Sequence, residues 1–157
     1  MRTLYKKFVE GTEKLHDIQL LLFRVILAIG FYGPAMMKVK NLDGVAEWFG
    51  SMSYPFPMVS AILAMTTEVL GIVLLTLGLG TRVIALPMMF VMVVAIFTTH
   101  ISNGFAAGDN GFEIPLYYFL MLFALVVYGS GKFSLDHLLS RRSQQIAPSS
   151  AKTATAA

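Results

Sequence analysis

The stretch MVSAILAMTTEVLGIVLLTLGLG, residues 58–80, decides the fold of this chain. It is almost wholly apolar and longer than the roughly 20 residues that a helix needs to cross a bilayer, which predicts a membrane-spanning helix. Its one carboxylate, Glu68, lies about 15 Å along the helix from Met58, close to the bilayer midplane. Because an ionisable group is costly there unless it is paired, protonated or beside a wet cavity, Glu68 requires a partner.

The composition of the whole chain points to the same class of protein. Of its 157 residues, 56% are hydrophobic and only 13% are charged, and the mean hydropathy is +0.69, whereas soluble domains carry about 25% charged residues. Three further apolar runs, 18–37, 83–103 and 112–129, accompany 58–79. The sequence therefore predicts an all-α membrane protein, a four-transmembrane-helix bundle embedded in the lipid bilayer.

The whole chain divides into three parts. Residues 1–17 have basic side chains and apolar positions at helical spacing, as expected of an amphipathic segment on the cytoplasmic membrane surface. Residues 18–139 form the membrane domain, and residues 140–157, rich in Ser, Ala and Thr, are predicted to be a disordered cytoplasmic tail. Between helices 1 and 2, a partial apolar stripe in residues 42–49 predicts a short interfacial helix.

The distribution of lysine and arginine predicts the orientation in the membrane. Nine of these residues fall on the side that holds both termini and the turn at Thr81, and only Lys38 and Lys40 fall on the other side. We expect a multi-pass protein of the bacterial inner membrane with both termini in the cytoplasm. The net charge of +3 is then a topology signal and does not indicate nucleic-acid binding.

Two charged residues lie within the predicted spans, Arg24 in the first and Glu68 in the second. A buried ion pair between them is one interpretation, because a long arginine side chain nearly bridges the difference in depth. The other is that Glu68 carries a proton or anchors a quinone-like ligand. Both interpretations stay open at this stage.

A second polar group is expected where the third span ends and the fourth begins. His100 precedes a short polar loop, and Glu113 and Tyr117 follow it at a spacing that places the last two on one helix face. Imidazole and carboxylate groups at an outer mouth of the bundle are candidate ligand-binding or proton-transferring groups. A polar rim that meets lipid headgroups is the alternative.

The methionines suggest a weaker possibility of metal binding. Met36 and Met37 are predicted on the same side of the membrane as His100, and thioether with imidazole suits Cu(I). Methionine is also an ordinary filler of apolar cores, so this pattern has little specificity. The chain has no cysteine, which excludes a disulfide framework, a thiolate metal site and a redox dithiol of its own.

Several short motifs resemble the DoxX family of small four-helix bacterial membrane proteins when they are taken in order. They are FRVILAIGFYGPAMMK (23–38), EVLG (68–71), GLGTR (78–82), His100 at the end of helix 3 and GSGKFSLD (129–136). The similarity extends from about residue 20 to residue 139. Residues 109–139 further resemble DoxX-type proteins encoded beside genes for copper-binding, oxazolone-modified peptides.

This resemblance implies an accessory role in membrane redox chemistry. Relatives are tied to quinone-linked thiosulfate oxidation and to complexes that handle thiol and oxidative stress. By position the implied polar residues are Arg24, Glu68, His100 and Glu113, with Glu68, His100 and Glu113 as the catalytic candidates.

The function expected from residues and resemblance together is an accessory subunit of a quinone-linked, thiol or sulfur redox system, or of a copper-peptide biosynthetic system. We expect no covalently bound cofactor, a quinone as the candidate ligand, a protein partner encoded nearby, and a candidate homo-oligomer. The alternative is a non-enzymatic membrane scaffold, or a carrier of a small molecule or peptide.

Overall fold

The computed structural model describes Thr12 and residues 15–146, with side chains up to residue 142, and this part of the chain is helical and contains no strand. Its helices are α1 (His16–Lys40), α2 (Leu42–Ser51), α3 (Pro57–Leu77), α4 (Thr81–Ala95), α5 (Glu113–Tyr128) and α6 (Leu135–Ile146). Apart from Thr12 and residues 15–17, the predicted surface segment 1–17 lies outside the described residues, as does the tail from residue 147 onward.

Three helices are long and apolar enough to cross a membrane. They are His16–Lys40, Pro57–Leu77 and Thr81–Asn103, in which α4 is prolonged by a π-helical turn and a 3-10 turn. A fourth apolar helix, Glu113–Tyr128, is shorter, with 16 residues. The all-helical prediction is confirmed, and the chain is a multi-pass membrane protein.

The order of the helices defines two ends of the molecule. We call the turn end the one where α1 begins and where residues 78–80 connect α3 to α4. The opposite end, which holds α2 and the loop of residues 104–112, is the loop end. Along the chain, α1 runs from the turn end to the loop end, α3 returns, α4 runs out again and α5 returns.

The core lies between α1, α3, α4 and α5, which each contribute fully buried apolar side chains. The largest are Leu20, Leu27, Phe31, Leu75, Met88, Leu122 and Leu125. At Gly71 the Met88 side chain of α4 fills the space that a Cβ would occupy. A small residue such as Gly71 lets α3 and α4 approach closely. Because lipid is as apolar as the side chains, helices in a membrane are held together mainly by van der Waals packing of this kind.

The predicted short helix between the first two spans is present as α2. The Asn41 side chain caps its N-terminus by accepting a hydrogen bond of 3.1 Å from the Gly44 amide. Val45 and Phe49 on its apolar face pack with Ala61 of α3. Because this face is buried, α2 lies against the beginning of α3 at the loop end.

At the turn end, Arg24 donates hydrogen bonds to backbone carbonyls at the end of α3 and after α5. Its guanidinium donates to the Leu75 carbonyl, at 3.5 Å, in the last turn of α3, and to the Phe133 carbonyl after α5. It occupies the space where Gly78 would carry a Cβ. A cation at the C-terminal end of α3 also meets the negative end of the helix dipole.

Asp136 completes this turn-end network from α6. Its carboxylate accepts hydrogen bonds from the Gly80 amide at 2.9 Å and the Thr81 amide at 3.3 Å, which caps the N-terminus of α4. The Asp136 amide donates to the Gly78 carbonyl at 3.1 Å. Four elements are thus joined where irregular backbone would otherwise leave polar groups unpaired.

The prediction that disorder begins at residue 140 is wrong for residues 140–146, since α6 extends from Leu135 to Ile146. The Ser134 hydroxyl accepts the His137 amide at 3.2 Å, an N-terminal cap that starts the helix locally. The run of Ser, Ala and Thr that suggested disorder begins only after this helix.

We expect Gly78→Ala to destabilise the protein far more than Gly80→Ala. Both glycines have positive φ, 66° and 56°, so each alanine costs about 1–2 kcal/mol in the left-handed region. A Cβ at Gly80 meets nothing within 4 Å, whereas one at Gly78 meets the Arg24 guanidinium. Displacing that buried cation adds about 3–5 kcal/mol. Melting temperatures of the two variants in detergent test this, and equal losses would contradict it.

Candidate functional site

The carboxylate of Glu68 is paired with Lys38, close to the end of α1. Lys38 Nζ donates to Glu68 Oε1 at 3.0 Å and to Oε2 at 2.9 Å, and a longer contact of 3.4 Å reaches the Pro34 carbonyl. Both residues are buried, with 8% of Lys38 and 3% of Glu68 exposed. Because the charges cancel, this is a form in which ionisable groups are tolerated inside a membrane.

The interpretation that Arg24 and Glu68 pair is therefore wrong. Side chains on a helix lean toward its N-terminus. Since α1 and α3 are antiparallel, Arg24 leans toward the turn end while Glu68 leans toward the loop end, so the two diverge. Lys38 leans back from the loop end and meets Glu68. The position of Lys38 near the end of its span predicts a place at the membrane surface, because position alone does not give the direction of the side chain.

A cavity of about 940 Å³, which we call the loop-end cavity, lies between α1, α3, α4 and α5. Trp48 and Phe49 of α2 contribute to its wall at the loop end, and the Lys38–Glu68 pair forms part of the wall deeper in the bundle. Most of the wall is apolar. Its polar side chains include Lys38, Glu68, Tyr54, Thr98, His100 and Tyr118.

The connection between α2 and α3 contacts the π-helical turn that prolongs α4, Ile96–His100. The Tyr54 hydroxyl is hydrogen-bonded to Thr98, and the Thr99 hydroxyl lies 4.0 Å from the Met52 sulfur. All four side chains line the loop-end cavity. Single π-helical turns within α-helices are frequent at functional sites, and this one forms part of the cavity wall.

His100 lies at the loop end of the cavity. Its Nδ1 is 2.8 Å from the Asn110 carbonyl. Since a carbonyl only accepts, Nδ1 carries the proton and Nε2 is left as the proton-accepting nitrogen. The structure therefore places the predicted residue His100 on the same cavity as Glu68, although the sequence analysis treated them as separate groups.

Glu113 and Tyr117 lie at the loop end but outside the cavity wall. Glu113 accepts the Ala107 amide at 2.9 Å on one oxygen and the Tyr117 hydroxyl at 3.0 Å on the other. These bonds hold the polar loop against the start of α5. The structure thus separates His100 from Glu113 and Tyr117, which the sequence analysis had grouped at one mouth.

The remaining predicted residues divide between the two ends. Arg24 belongs to the turn-end network. Met37 lines the loop-end cavity together with His100, and Met36 does not. Within residues 15–142, no group of three or more His, Asp or Glu side chains is placed to hold a metal ion.

Sequence reasoning missed Lys38, Trp48 and Tyr118 as cavity residues. The lean of side chains on antiparallel helices is a signal that could have identified Lys38. Tyr118 was missed because the polar face predicted for this helix contained Glu113 and Tyr117, whereas Ile114, Pro115 and Tyr118 line the cavity. As α5 is apolar on all sides, its sequence does not show which face is inward.

We expect removal of either member of the buried pair to destabilise the protein, because Lys38→Met or Glu68→Gln leaves an unpaired buried charge, at a cost of about 3–5 kcal/mol. The double variant should recover most of the loss. Lys40→Met, at an exposed position two residues away, is the matched control and should change little. Melting temperatures in detergent measure all four, and additive losses in the double variant would contradict the pairing.

The chain matches known proteins over most of its length. The family model described as DoxX matches residues 19–101. An uncharacterised protein of Haemophilus influenzae is 32% identical over 79% of this chain and 85% of its own length. The Bacillus subtilis protein named "Putative oxidoreductase CatD" is 32% identical over 78% of this chain and 88% of its own length.

The Escherichia coli protein named "Inner membrane protein YphA" is 29% identical over 76% of this chain and 89% of its own length. No solved structure matches the chain. The sequence motifs, the apolar helices and these matches agree, and the chain belongs to the DoxX family of membrane proteins.

Proposed function

We propose that this protein is an accessory subunit of an inner-membrane redox system, which binds a quinone in the loop-end cavity and exchanges protons with it through Lys38 and Glu68. The observation that carries the proposal is the buried ion pair on the wall of a largely apolar cavity. The two residues are almost fully buried, with 8% of Lys38 and 3% of Glu68 exposed, yet the pair is not closed off on every side. Here it borders a space large enough for a ligand.

The cavity has the size and lining that a quinone ring requires. Its volume of about 940 Å³ falls in the range of roughly 300–1,000 Å³ that is usual for small-molecule sites. Such sites are mostly apolar with a few placed polar groups. Phe31 and Phe90 provide apolar surface for a ring, and Lys38 and Tyr118 provide hydrogen-bond donors.

A quinone takes up two electrons and two protons when it is reduced to a quinol. Lys38 holds two short bonds to Glu68 and one long contact of 3.4 Å to the Pro34 carbonyl. The contact with the Pro34 carbonyl is the longest and therefore the weakest of the three, so a ligand oxygen can replace it with the smallest loss of hydrogen-bond energy. After Lys38 passes a proton to the ligand, its neutral amine regains one that enters from outside the cavity and is relayed by the Glu68 carboxylate, and the second proton of the quinol follows the same route. Oxidation of the quinol runs this relay in reverse.

His100 supports proton exchange between the cavity and the loop end. With Nδ1–H donated to the Asn110 carbonyl, Nε2 is the ring nitrogen left to accept a proton. Glu113 holds the adjacent loop through Ala107, so it acts on His100 only by positioning.

In this proposal a partner protein supplies the electrons, because the chain has no cysteine and therefore no redox dithiol of its own. A thiol, sulfur or copper-peptide system would use this subunit in the same way. The name of the Bacillus subtilis relative, an oxidoreductase, supports a redox setting. If the cavity holds its ligand without electron transfer, the protein is a carrier or scaffold instead.

We further propose four spans, with α5 as the fourth and α2 in the membrane interface. The turn end then faces the cytoplasm. Arg82, Lys132, Arg141 and Arg142 lie at that end, and Lys38 is consumed inside the bundle, which leaves Lys40 as the exposed cation between α1 and α2. The excess of exposed lysine and arginine at the turn end over the loop end is therefore larger than the sequence count, and by the positive-inside rule it favours a cytoplasmic turn end.

Quinone binding can be measured through Trp48, which lines the cavity and is the single tryptophan of the chain. We expect ubiquinone-1 to quench its fluorescence saturably in detergent. The control is the variant Trp48→Phe with Ile29→Trp, because Ile29 is 71% exposed on α1 and outside the cavity wall. This variant should show only unsaturable quenching. Identical, unsaturable quenching in both proteins would refute quinone binding.

The orientation can be tested by cysteine labelling without a native background. A cysteine in place of Ser102 at the loop end should react with an impermeant maleimide from outside spheroplasts. A cysteine in place of Ser140 in α6 should react only after lysis. Labelling of the Ser140 position in intact spheroplasts would reverse the proposed topology.

A further inference from the structure

Tyr118 presents an unpaired donor to the loop-end cavity. Its ring packs on Phe31 with centroids 5.6 Å apart. Within the described part of the chain, its hydroxyl has no hydrogen-bond partner, although it lies on the wall of the cavity. A half-buried hydroxyl without a partner in a membrane protein is costly, and a ligand oxygen in the cavity would satisfy it.

The Tyr118 hydroxyl occupies space that is available only because residue 30 is a glycine. A Cβ at Gly30 would overlap the hydroxyl and the end of the ring, whereas a Cβ at Gly33, one turn further along α1, meets nothing within 4 Å. The two glycines therefore differ in what they accommodate. Gly30 makes room for Tyr118, and Gly33 does not contact it.

Gly30 also contributes an unpaired acceptor. Pro34 lies inside α1 and has no N–H, so the Gly30 carbonyl lacks the donor that a helix normally supplies four residues on. Gly30 lines the cavity beside Tyr118, so this part of the wall combines the Tyr118 donor with a main-chain acceptor of α1.

The Lys38–Glu68 pair lies on the same face of α1. Gly30, Pro34 and Lys38 follow at intervals of four residues, and the Lys38 ammonium folds back to the Pro34 carbonyl. Gly30 and Pro34 are about 6 Å apart along the helix axis. The cavity thus has two polar points about one helical turn apart, separated by apolar surface.

From this juxtaposition, and building on the quinone site proposed above, we infer that Tyr118 holds the second oxygen of the ligand while Lys38 holds the first. Tyr118 is then a positioning residue that makes the site selective for rings with two oxygens over rings with one. Gly30 contributes to the same selectivity, because it leaves the space in which the Tyr118 phenol lies.

The test compares menadione, which has two ring oxygens, with 1-tetralone, which has one. Menadione affinity is read from Trp48 quenching, and 1-tetralone affinity from its competition with menadione. Tyr118→Phe should weaken menadione binding about three- to tenfold, the contribution of one hydrogen bond, and should leave 1-tetralone binding nearly unchanged. Tyr128→Phe, at the turn end of the same helix, is the matched control and should affect neither ligand.

Gly30→Ala provides an independent variant that keeps the phenol but displaces it. It should reproduce the selective loss of menadione binding, while Gly33→Ala should bind like the wild type. If neither Tyr118→Phe nor Gly30→Ala folds, the wild type decides. Equal affinity for the two ligands in the wild type would then overturn the inference.

The outcomes separate this inference from the proposed function. Unchanged menadione affinity in folded Tyr118→Phe overturns the role of Tyr118 and leaves quinone binding intact. Absence of saturable binding of both menadione and ubiquinone-1 in the wild type overturns both, whereas absence of menadione binding alone overturns only this inference. An equal loss for menadione and 1-tetralone in Tyr118→Phe also overturns the selectivity, since it would show general damage to the cavity.

Discussion

A carboxylate in the middle of an apolar helix must be neutralised, and much of the loop end follows from how Glu68 meets this requirement. The ammonium of Lys38 reaches both carboxylate oxygens, which draws a lysine from the end of α1 into the bundle. The pair is almost fully buried but also borders the cavity, so it remains within reach of a ligand. The same interaction therefore stabilises the helix pair and gives the cavity its polar surface.

The two ends of the molecule use their polar residues differently. At the turn end, Arg24 and Asp136 satisfy backbone groups at the ends of α3 and α4, as helices in a membrane require when water is scarce. The stretches GLGTR and GSGKFSLD, which contributed to the resemblance to the DoxX family, meet in this network and therefore have a structural role here. At the loop end, polar side chains border open space, and this is where a functional site is proposed.

The four polar residues implied by the family resemblance do not form one site in the structure. Position alone implied Arg24, Glu68, His100 and Glu113 as one set of polar residues. In the structure only Glu68 and His100 share the cavity, Arg24 contacts carbonyls at the opposite end, and Glu113 holds a loop. Membership of the family and the apolar helices do not by themselves assign a ligand, and the proposal rests on the cavity and its wall.

The sequence by itself determined that the chain is helical, that it enters the membrane several times, and where its long helices begin and end to within a few residues. Hydropathy and the length of each apolar run are properties of a short stretch of chain, so they predict the helices without knowledge of the fold. The order of the short motifs indicated the family. The tertiary structure decided which charge partners Glu68, because two antiparallel helices turn Lys38 toward it and Arg24 away from it. It also decided that Tyr118 and not Tyr117 faces the cavity, since an almost uniformly apolar helix can present any side inward until its neighbours have packed.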